Sequence, residues 1–441
     1  MGLHLTGNKR KIVNNLLWAT GGKVINLGGS LILGIIVARY LGAEQYGLMN
    51  YVISYAFLFQ TLACFGLDSI EVREEAAGKV PFTTIIGTAF WIKVVLGIIC
   101  IGLSIGTAIV MGEDSYTVAL IAMYSCYIVF NSFVVIRNYF TSLVQNKYIV
   151  LSEIFRTFVG IAIKLTMWAL DCSLTWFVAA FAFDYVLLAG GYISSYRHKI
   201  GSMRYWHFSM SYAKYMMKES FPLLLTNAAV IIYQRIDQVM IGQMVSKTDV
   251  GFFSVAAKFV EVMIFIPATI AHTISPVLVQ LLDKSREAYT IKAQQYLNIT
   301  VWTCILCSIG VSVISYWLVL YTFGTEYLPA AAILQVLSFK MVSVALSNGG
   351  GIMVIVERLQ KWVFFRDVLG CIVCVGLNWW LLPKYGAIAA AFVAIAANLA
   401  AGYVADLLVP AYRHIFRQQT KALFLGWRDL IHIKQLLTPN S

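Results

Sequence analysis

Eight basic side chains fall inside stretches of the sequence that are otherwise apolar enough to lie in a membrane. A base at the centre of an isolated membrane helix costs about 2.5–3.5 kcal/mol even on a lenient insertion scale, so eight of them cannot all face lipid. They must line a wet cavity, pair with acids or extend to the membrane surface. These residues are Lys23, Lys93, Arg156, Lys164, Arg235, Lys258, Lys340 and Arg366.

Acidic side chains in the same stretches are fewer, which leaves an excess of positive charge. A spacing of three residues puts Arg156 on the helix face of Glu153 and Lys258 on that of Glu261. The adjacent charges of Arg235 with Asp237, and of Arg366 with Asp367, are expected to point to different neighbours. The five acids are Glu153, Asp184, Asp237, Glu261 and Asp367.

Two interpretations of these charges stay open. Asp184 stands alone in its span, whereas Glu153, Gly160 and Lys164 follow one helical stripe that is expected to face an interior. Arg156 and Arg366 lie near the expected inner surface and can extend to it. Internal salt bridges that orient helices account for single residues, but a hydrated cationic chamber accounts better for the set. Such a chamber would attract an anionic ligand, such as a pyrophosphate or an acidic sugar.

Composition defines the elements that must position these charges. Of 441 residues, 60% are hydrophobic and only 12% are charged, with a mean hydropathy of +0.76. A soluble protein would carry roughly twice that share of charge. Apolar runs of membrane-spanning length recur throughout, so we expect an all-α integral membrane protein. Twelve spans are predicted at about 13–38, 46–67, 84–111, 116–136, 150–170, 173–194, 218–244, 249–273, 294–321, 329–350, 359–382 and 386–409.

The distribution of Lys and Arg predicts the orientation. The N-terminal tail and every second connection hold 22 of the 33 basic residues, and the alternate connections hold three. Lys and Arg accumulate on the cytoplasmic side, so both termini are predicted to be cytoplasmic. Six crossings return the chain to its starting side, which predicts two six-helix bundles as parallel repeats. The predicted domains are 1–200, a linker over 201–217, 218–409 and a tail over 410–441.

A weak internal echo supports this duplication. The stretch "ARYLGAEQYGLMNYVIS" resembles "GQMVSKTDVGFFSVAAK", and the superposed Gly47 and Gly251 are 204 residues apart. The two stretches fall at the same place in each half, between its first and second spans. Arg39 and Glu44 bracket the first of these turns.

Several functions and sites are disfavoured. The net charge of +12 follows from the topology and requires no nucleic acid. The cysteines lie mostly in apolar runs and predict neither a metal site nor a redox site. No cofactor is expected, no GxxxxGK[ST] phosphate loop is present, and no cleavable signal peptide is expected. The basic, aromatic tail is predicted to lie on the inner leaflet as an amphipathic helix.

Two stretches resemble a known family. They are "IVARYLGAEQYGLMNYVISYAFLFQTLACFGLDSIEVREEA" and "FPLLLTNAAVIIYQRIDQVMIGQMVSKTDVGFFSVAAKFVEVMIFIP". Both are similar to polysaccharide transporters of the multidrug/oligosaccharidyl-lipid/polysaccharide (MOP) superfamily, in particular to Wzx-type flippases of O-antigen or exopolysaccharide. The resemblance implies a MATE-like fold in the inner (plasma) membrane. It also implies transfer of undecaprenyl-pyrophosphate-linked oligosaccharide to the outer leaflet, driven by H⁺ or Na⁺. Further expected partners are membrane lipids, a polysaccharide polymerase and a chain-length regulator.

Site residues carried over by position divide into two groups, and no catalytic residue is expected. Candidate ion-coupling acids are Glu153, Asp184, Asp237 and Glu261. Bases expected to bind the substrate are Lys23, Arg39, Lys93, Lys164, Arg235, Lys258 and Lys340, together with Arg156 from the in-span set.

Two alternative functions remain. A MATE-like exporter of small cations would favour interior acids, whereas bases predominate here. A membrane polymerase or ligase would need a sizeable outer loop bearing acid–base groups, whereas the predicted outer connections are a few residues long.

Overall fold

The computed structural model describes residues 3–431, with side chains described for 21, 26–271 and 273–429. The first helices are α1 Leu3–Cys64, α2 Leu67–Ala77, α3 Phe82–Val110, α4 Ser115–Ser142, α5 Asn146–Ala169 and α6 Leu174–Lys199. The later helices are α7 Met210–Met244, α8 Lys247–Lys284, α9 Arg286–Thr322, α10 Pro329–Val356, α11 Val363–Tyr385, α12 Ala387–Leu408, α13 Arg413–Leu425 and α14 Trp427–Ile431. The predicted all-α class is confirmed over residues 3–431, where no strand occurs.

Nine helical stretches of the described chain are long and apolar enough to cross a membrane, so this is a multi-pass membrane protein. Helices occupy all the predicted span positions. However, α5 and α7 are not among the nine, since α5 carries Glu153, Arg156 and Lys164 and α7 is polar along much of its length. Twelve crossings therefore stay a prediction.

Helix α1 bends at Gly42, where the predicted break between the first two spans lies. Gly42 has φ 75°, a backbone region that glycine adopts at little cost. The N–H of Ala43, at the start of the second helical part, donates to Glu326 Oε1 at 2.7 Å. A carboxylate suits this position because the first N–H groups of a helix lack backbone partners.

The two glycines of the internal echo contact each other's chain segment. A Cβ on Gly47 would lie 1.8 Å from the carbonyl oxygen of Lys247, and one on Gly251 would lie 2.3 Å from that of Ala43. Ala43 and Lys247 are separated by the same 204 residues as the glycines, so the contact is reciprocal. Only glycine allows such a close approach of two helices.

The chain divides into two compact units. Unit 1 comprises Met1–Leu41 and Leu48–Ala228, and unit 2 comprises Gly42–Gly47 and Ala229–Ser441. The division falls within α7 and not in the predicted linker over 201–217.

Packing explains why 201–217 is part of unit 1 and not a linker. The N–H of His207 donates to the carbonyl oxygen of Thr83 at 3.1 Å. Ala213 and Met216 are buried in a core with residues of α3, α4 and α6. This segment is therefore fixed to the first helices by backbone hydrogen bonds and apolar burial.

Helix α13, in the tail predicted to lie on the inner leaflet as an amphipathic helix, packs one face into unit 2. Its Ile415, Gln419 and Ala422 are buried. The side-chain amide of Gln419 donates to the carbonyl oxygens of Leu346 at 3.1 Å and Gly402 at 2.8 Å. The apolar face of this amphipathic helix is covered by protein. Residues 432–441 lie outside the described range.

Glu357, in the connection before α11, joins α13 to α9. Its carboxylate lies 2.9 Å from His414 Nε2 and accepts from the hydroxyl of Tyr289 at 2.8 Å. Burial alone would raise the pKa of Glu357, but the hydrogen bonds with His414 and Tyr289 hold it below its ordinary value. Because the folded pKa lies below the unfolded one, the stabilisation is complete at neutral pH and is lost on acidification through the folded pKa.

Replacing Glu357 with Gln should loosen α13, because the substitution removes the charge that both partners bind. We expect several-fold faster proteolysis of the tail in membranes at neutral pH. The tail of the wild-type protein should be cleaved at the same rate only when the pH is below the range in which a glutamate ordinarily titrates. Glu287→Gln, at an exposed glutamate, is the matched control. Equal cleavage of E357Q and wild type would show that α13 is held by packing alone.

Candidate functional site

Lys93, a predicted substrate-binding base, is held by two carboxylates of α2. Its Nζ lies 2.6 Å from Asp68 Oδ1 and 2.6 Å from Glu71 Oε1. The side-chain amide of Asn138 donates to the same two carboxylates at 3.0 and 2.7 Å. Lys93 and Glu71 are buried. The charge of Lys93 is therefore fully compensated inside unit 1.

Lys164 forms the second buried pair. Its Nζ lies 2.8 and 2.7 Å from the two carboxylate oxygens of Asp184 on α6 and 4.4 Å from the ring centroid of Phe181. A Cβ on Gly160 would lie 2.4 Å from Asp184 Oδ1, so the glycine makes room for the carboxylate. The predicted stripe thus faces a neighbouring helix, and Asp184 does not stand alone.

Arg366 forms the third pair and does not extend to the surface as predicted. Its Nε lies 3.4 Å from Asp406 Oδ1 and donates to the carbonyl oxygen of Ala401 at 3.1 Å. Asp406 lies inside the last predicted span, so the five predicted in-span acids do not include this partner. In each unit, a base on one helix pairs with an acid on the next helix: α5 with α6, and α11 with α12.

These pairs change the interpretation of the charges. Lys93, Lys164 and Arg366 are at most 5% exposed. Lys93 and Lys164, predicted to line a wet chamber, thus lie in buried ion pairs, so the alternative of helix-orienting salt bridges accounts for them, as it does for Arg366. A desolvated base remains charged in a membrane segment only when an acid lies in contact with it.

The remaining predicted residues of unit 1 have varied surroundings. Arg156 is half-buried, and its Nε lacks a hydrogen-bond partner among the described residues. Glu153 interacts with the phenol of Tyr192, and no ion pair joins it to Arg156 within the described part of the chain. Arg39 is exposed. The side chain of Lys23 lies outside the described residues.

A half-exposed cluster remains on α7 and α8. Arg235 Nη2 lies 3.2 Å from Glu261 Oε1, with the two side chains 37% and 43% exposed. Lys258 is half-buried and interacts electrostatically with both. Glu261, predicted to face Lys258, is thus also paired with Arg235. Both bases therefore interact with Glu261, and the three residues together (Arg235, Lys258 and Glu261) form a basic cluster of two bases and one acid.

The turn between α7 and α8 fixes the basic cluster in place. Ser246 precedes α8, and its hydroxyl oxygen accepts from the N–H of Asp249 at 3.0 Å. Such a cap begins a helix sharply, because it satisfies an N–H that lacks a backbone partner. Helices α7 and α8 can therefore run back along each other and bring Arg235 to Glu261.

Asp237 lies two residues from Arg235 and faces a different environment, as the sequence predicted. It is buried, and its Oδ1 accepts from the side-chain amide of Asn378 at 2.6 Å and from Cys374 Sγ at 3.4 Å. Within the described part of the chain, Asp237 Oδ2 and Asn378 Oδ1 are buried without a hydrogen-bond partner. Two such oxygens are costly unless a proton or a small cation satisfies them. Lys340 is half-buried and interacts with Asp237 electrostatically.

Several partners were not predicted from the sequence. Asp68 and Glu71 follow the predicted end of the second span at 67, and Asn138 follows that of the fourth at 136. Cys374 and Asn378 are one helical turn apart in an apolar run, a spacing that could have marked them as one polar face.

Comparison with known proteins now identifies the family. Residues 12–282 match the family described as polysaccharide biosynthesis protein. The chain belongs to this family. No curated protein gives a match. The predicted relationship to a family of polysaccharide biosynthesis is confirmed by this match.

Solved structures share the fold over nearly the whole chain. The lipid II flippase MurJ, in an inward closed conformation, matches with a TM-score of 0.72 at 14% identity, covering 96% of this chain and 94% of that one. An inward-facing multidrug resistance MATE transporter matches with 0.66 at 13% identity, covering 90% and 99%. A MOP superfamily transporter from Pyrococcus furiosus matches with 0.56 at 12% identity, covering 94% and 96%.

Separate removal of either member of the Lys164–Asp184 pair should destabilise the protein more than removal of both. We expect Lys164→Met or Asp184→Asn to cost about 3–5 kcal/mol, because each leaves a buried charge unpaired. The double variant should recover most of the lost stability. Thermal unfolding of purified protein measures the stability of each variant. Glu219→Gln, which breaks the exposed Arg73–Glu219 pair, is the control and should cost about 0–1 kcal/mol. If the losses of stability in the two single variants add up in the double variant, the two side chains do not compensate each other's charge.

Proposed function

We propose that this protein is a flippase that moves undecaprenyl-pyrophosphate-linked oligosaccharide repeat units from the cytoplasmic to the periplasmic leaflet of the inner membrane by cation-coupled alternating access. Family membership and the shared fold support the proposal. The observation that carries it is the basic cluster, in which a guanidinium and an ammonium group lie together on α7 and α8 beside Glu261 and remain half-exposed.

The chemistry of the basic cluster suits a pyrophosphate. A guanidinium group binds phosphate oxygens through two parallel hydrogen bonds, and an ammonium group adds a compact charge. Glu261 lies 3.2 Å from Arg235 and limits the cost of exposing the bases to lipid. An arriving pyrophosphate would compete with this carboxylate for the bases. The cargo is thereby bound reversibly, as transport requires.

Asp237 is the acid we assign to coupling. It is buried and accepts from the side-chain amide of Asn378 at 2.6 Å, and each of these two side chains has one oxygen without a hydrogen-bond partner among the described residues. Protonation would give Asp237 a hydrogen to donate, and Na⁺ would take both oxygens as ligands. Either cation would neutralise a carboxylate that otherwise remains charged inside the membrane. Asp184 is less suited, because both its oxygens are bound to Lys164.

Alternating access requires helices that pack closely and still move. The reciprocal contact of Gly47 and Gly251 is a suitable pivot, because backbone meets backbone there without interlocking side chains. We further propose the twelve crossings, the parallel repeat and the cytoplasmic termini that the distribution of Lys and Arg predicts. A polysaccharide polymerase and a chain-length regulator remain the expected partners.

Neutralising the basic cluster should abolish transport without unfolding the protein. We expect Arg235→Gln and Lys258→Gln each to lower transfer about tenfold or more, since each removes a charged hydrogen-bond donor to phosphate. A membrane-impermeant glycan label in vesicles measures exposure on the outer leaflet, and thermal unfolding checks the fold. Lys384→Gln removes an exposed charge from the same unit and should transport normally. Normal transfer by both cluster variants would refute the assignment.

Asp237→Asn should uncouple transport from the ion gradient. The amide cannot exchange a proton and binds cations weakly, so transfer should no longer respond to an imposed gradient. Vesicles with a pH gradient, a sodium gradient or neither would identify the ion from the response of wild type. Asp283→Asn, at an exposed acid, is the control. An unchanged gradient response in D237N would place coupling at another acid.

A further inference from the structure

An open groove of about 450 Å³ runs between α5 and α6 in unit 1. Its walls are apolar and include the exposed side chains of Leu151 and Phe155. Pockets of about 300–1,000 Å³ are of the size that holds small ligands. A groove on the membrane-facing surface of two helices can hold part of a lipid chain.

Two adjacent glycines create the groove in different ways. A Cβ on Gly191 would lie 2.9 Å from Ser152 Cβ, so Gly191 lets the helices approach. A Cβ on Gly190 would meet nothing within 4 Å, so Gly190 leaves space unfilled. The depth of the groove thus depends on one glycine whose replacement would not disturb the packing of the helices.

One end of the groove is polar. The hydroxyls of Ser152 and Ser195 lie 3.3 Å apart. One helical turn beyond these serines, towards the start of α5 and the end of α6, Lys199 Nζ lies 5.2 Å from the ring centroid of Tyr148. Because Tyr148 and Ser152, like Ser195 and Lys199, are four residues apart, the ammonium group stands directly beyond the serines.

Positive charge accumulates at this end. Lys147 and Arg197 are exposed on the same helix ends as Lys199. Within the described residues, no acid lies at ion-pair distance from any of the three, whereas Lys93 and Lys164 of the same unit are each paired. A basic end above an apolar groove between membrane helices is the arrangement that binds an anionic lipid head group.

We propose that this groove binds an anionic phospholipid, with an acyl chain along Leu151 and Phe155 and the phosphate beside Lys199. Ser152 donates its hydroxyl hydrogen to the carbonyl oxygen of Tyr148 at 3.0 Å, which leaves the hydroxyl of Ser195 to donate to an ester oxygen between chain and phosphate. This site is distinct from the basic cluster, which lies on α7 and α8, and it requires only that α5 and α6 lie in a membrane. The bound lipid would be resident and not transported.

The test is photocrosslinking with purified protein in vesicles. A phosphatidylglycerol probe with a photoreactive acyl chain is compared with the matching phosphatidylcholine probe, and labelled peptides are mapped. Wild type should be labelled on α5 and α6, with preference for phosphatidylglycerol. Lys199→Gln should lower that preference about fivefold, the effect of one base near a membrane surface, while phosphatidylcholine labelling stays.

A matched pair of glycine variants tests the groove itself. Gly190→Leu should abolish labelling of α5 and α6 by both probes. Gly102→Leu, where a Cβ would also meet nothing within 4 Å on another helix of unit 1, should leave it unchanged. Equal labelling by the two probes in wild type, or unchanged labelling of G190L, would overturn the proposal. So would stronger labelling by an undecaprenyl-phosphate probe, which would assign the groove to the cargo chain.

Discussion

The structure depends on the compensation of charge where water is absent. Lys93, Lys164 and Arg366 are buried, and each contacts a carboxylate from another helix. A single unpaired charge at such a depth would cost several kcal/mol, so each contact fixes the positions of two helices. The pairs specify which helices are neighbours, as apolar packing cannot do among helices that are uniformly apolar and surrounded by lipid.

Two groups of charges outside these buried pairs are suited to function. The basic cluster holds two bases and one acid and is half-exposed, and Asp237, although buried, has an oxygen without a hydrogen-bond partner among the described residues. Both features lie on α7, two residues apart, on different faces of the helix. A cargo charge and a coupling cation bound there would act on one helix. The proximity gives a physical route by which binding of one could influence binding of the other.

The positions of the helices and the facing of some charged side chains could be predicted from the sequence. Hydropathy located the helices, the helical period showed that Arg235 and Asp237 face different neighbours, and a glycine-containing hinge marked the bend at Gly42. The partners were harder to predict. Glu71 lies four residues beyond the predicted end of its span, and Asp184 meets Lys164 only through the register of two separate helices. Local spacing describes one helix, whereas ion pairing depends on how distant segments pack.

The internal echo has a geometric explanation in the reciprocal glycine contact. Gly47 approaches the carbonyl oxygen of Lys247, and Gly251 approaches that of Ala43, the residue at the corresponding position. When two similar stretches contact each other through the same positions, one steric requirement applies to both. Each stretch accordingly has a glycine at the position of close approach, and Gly42–Gly47 belongs with unit 2 although it lies between two segments of unit 1.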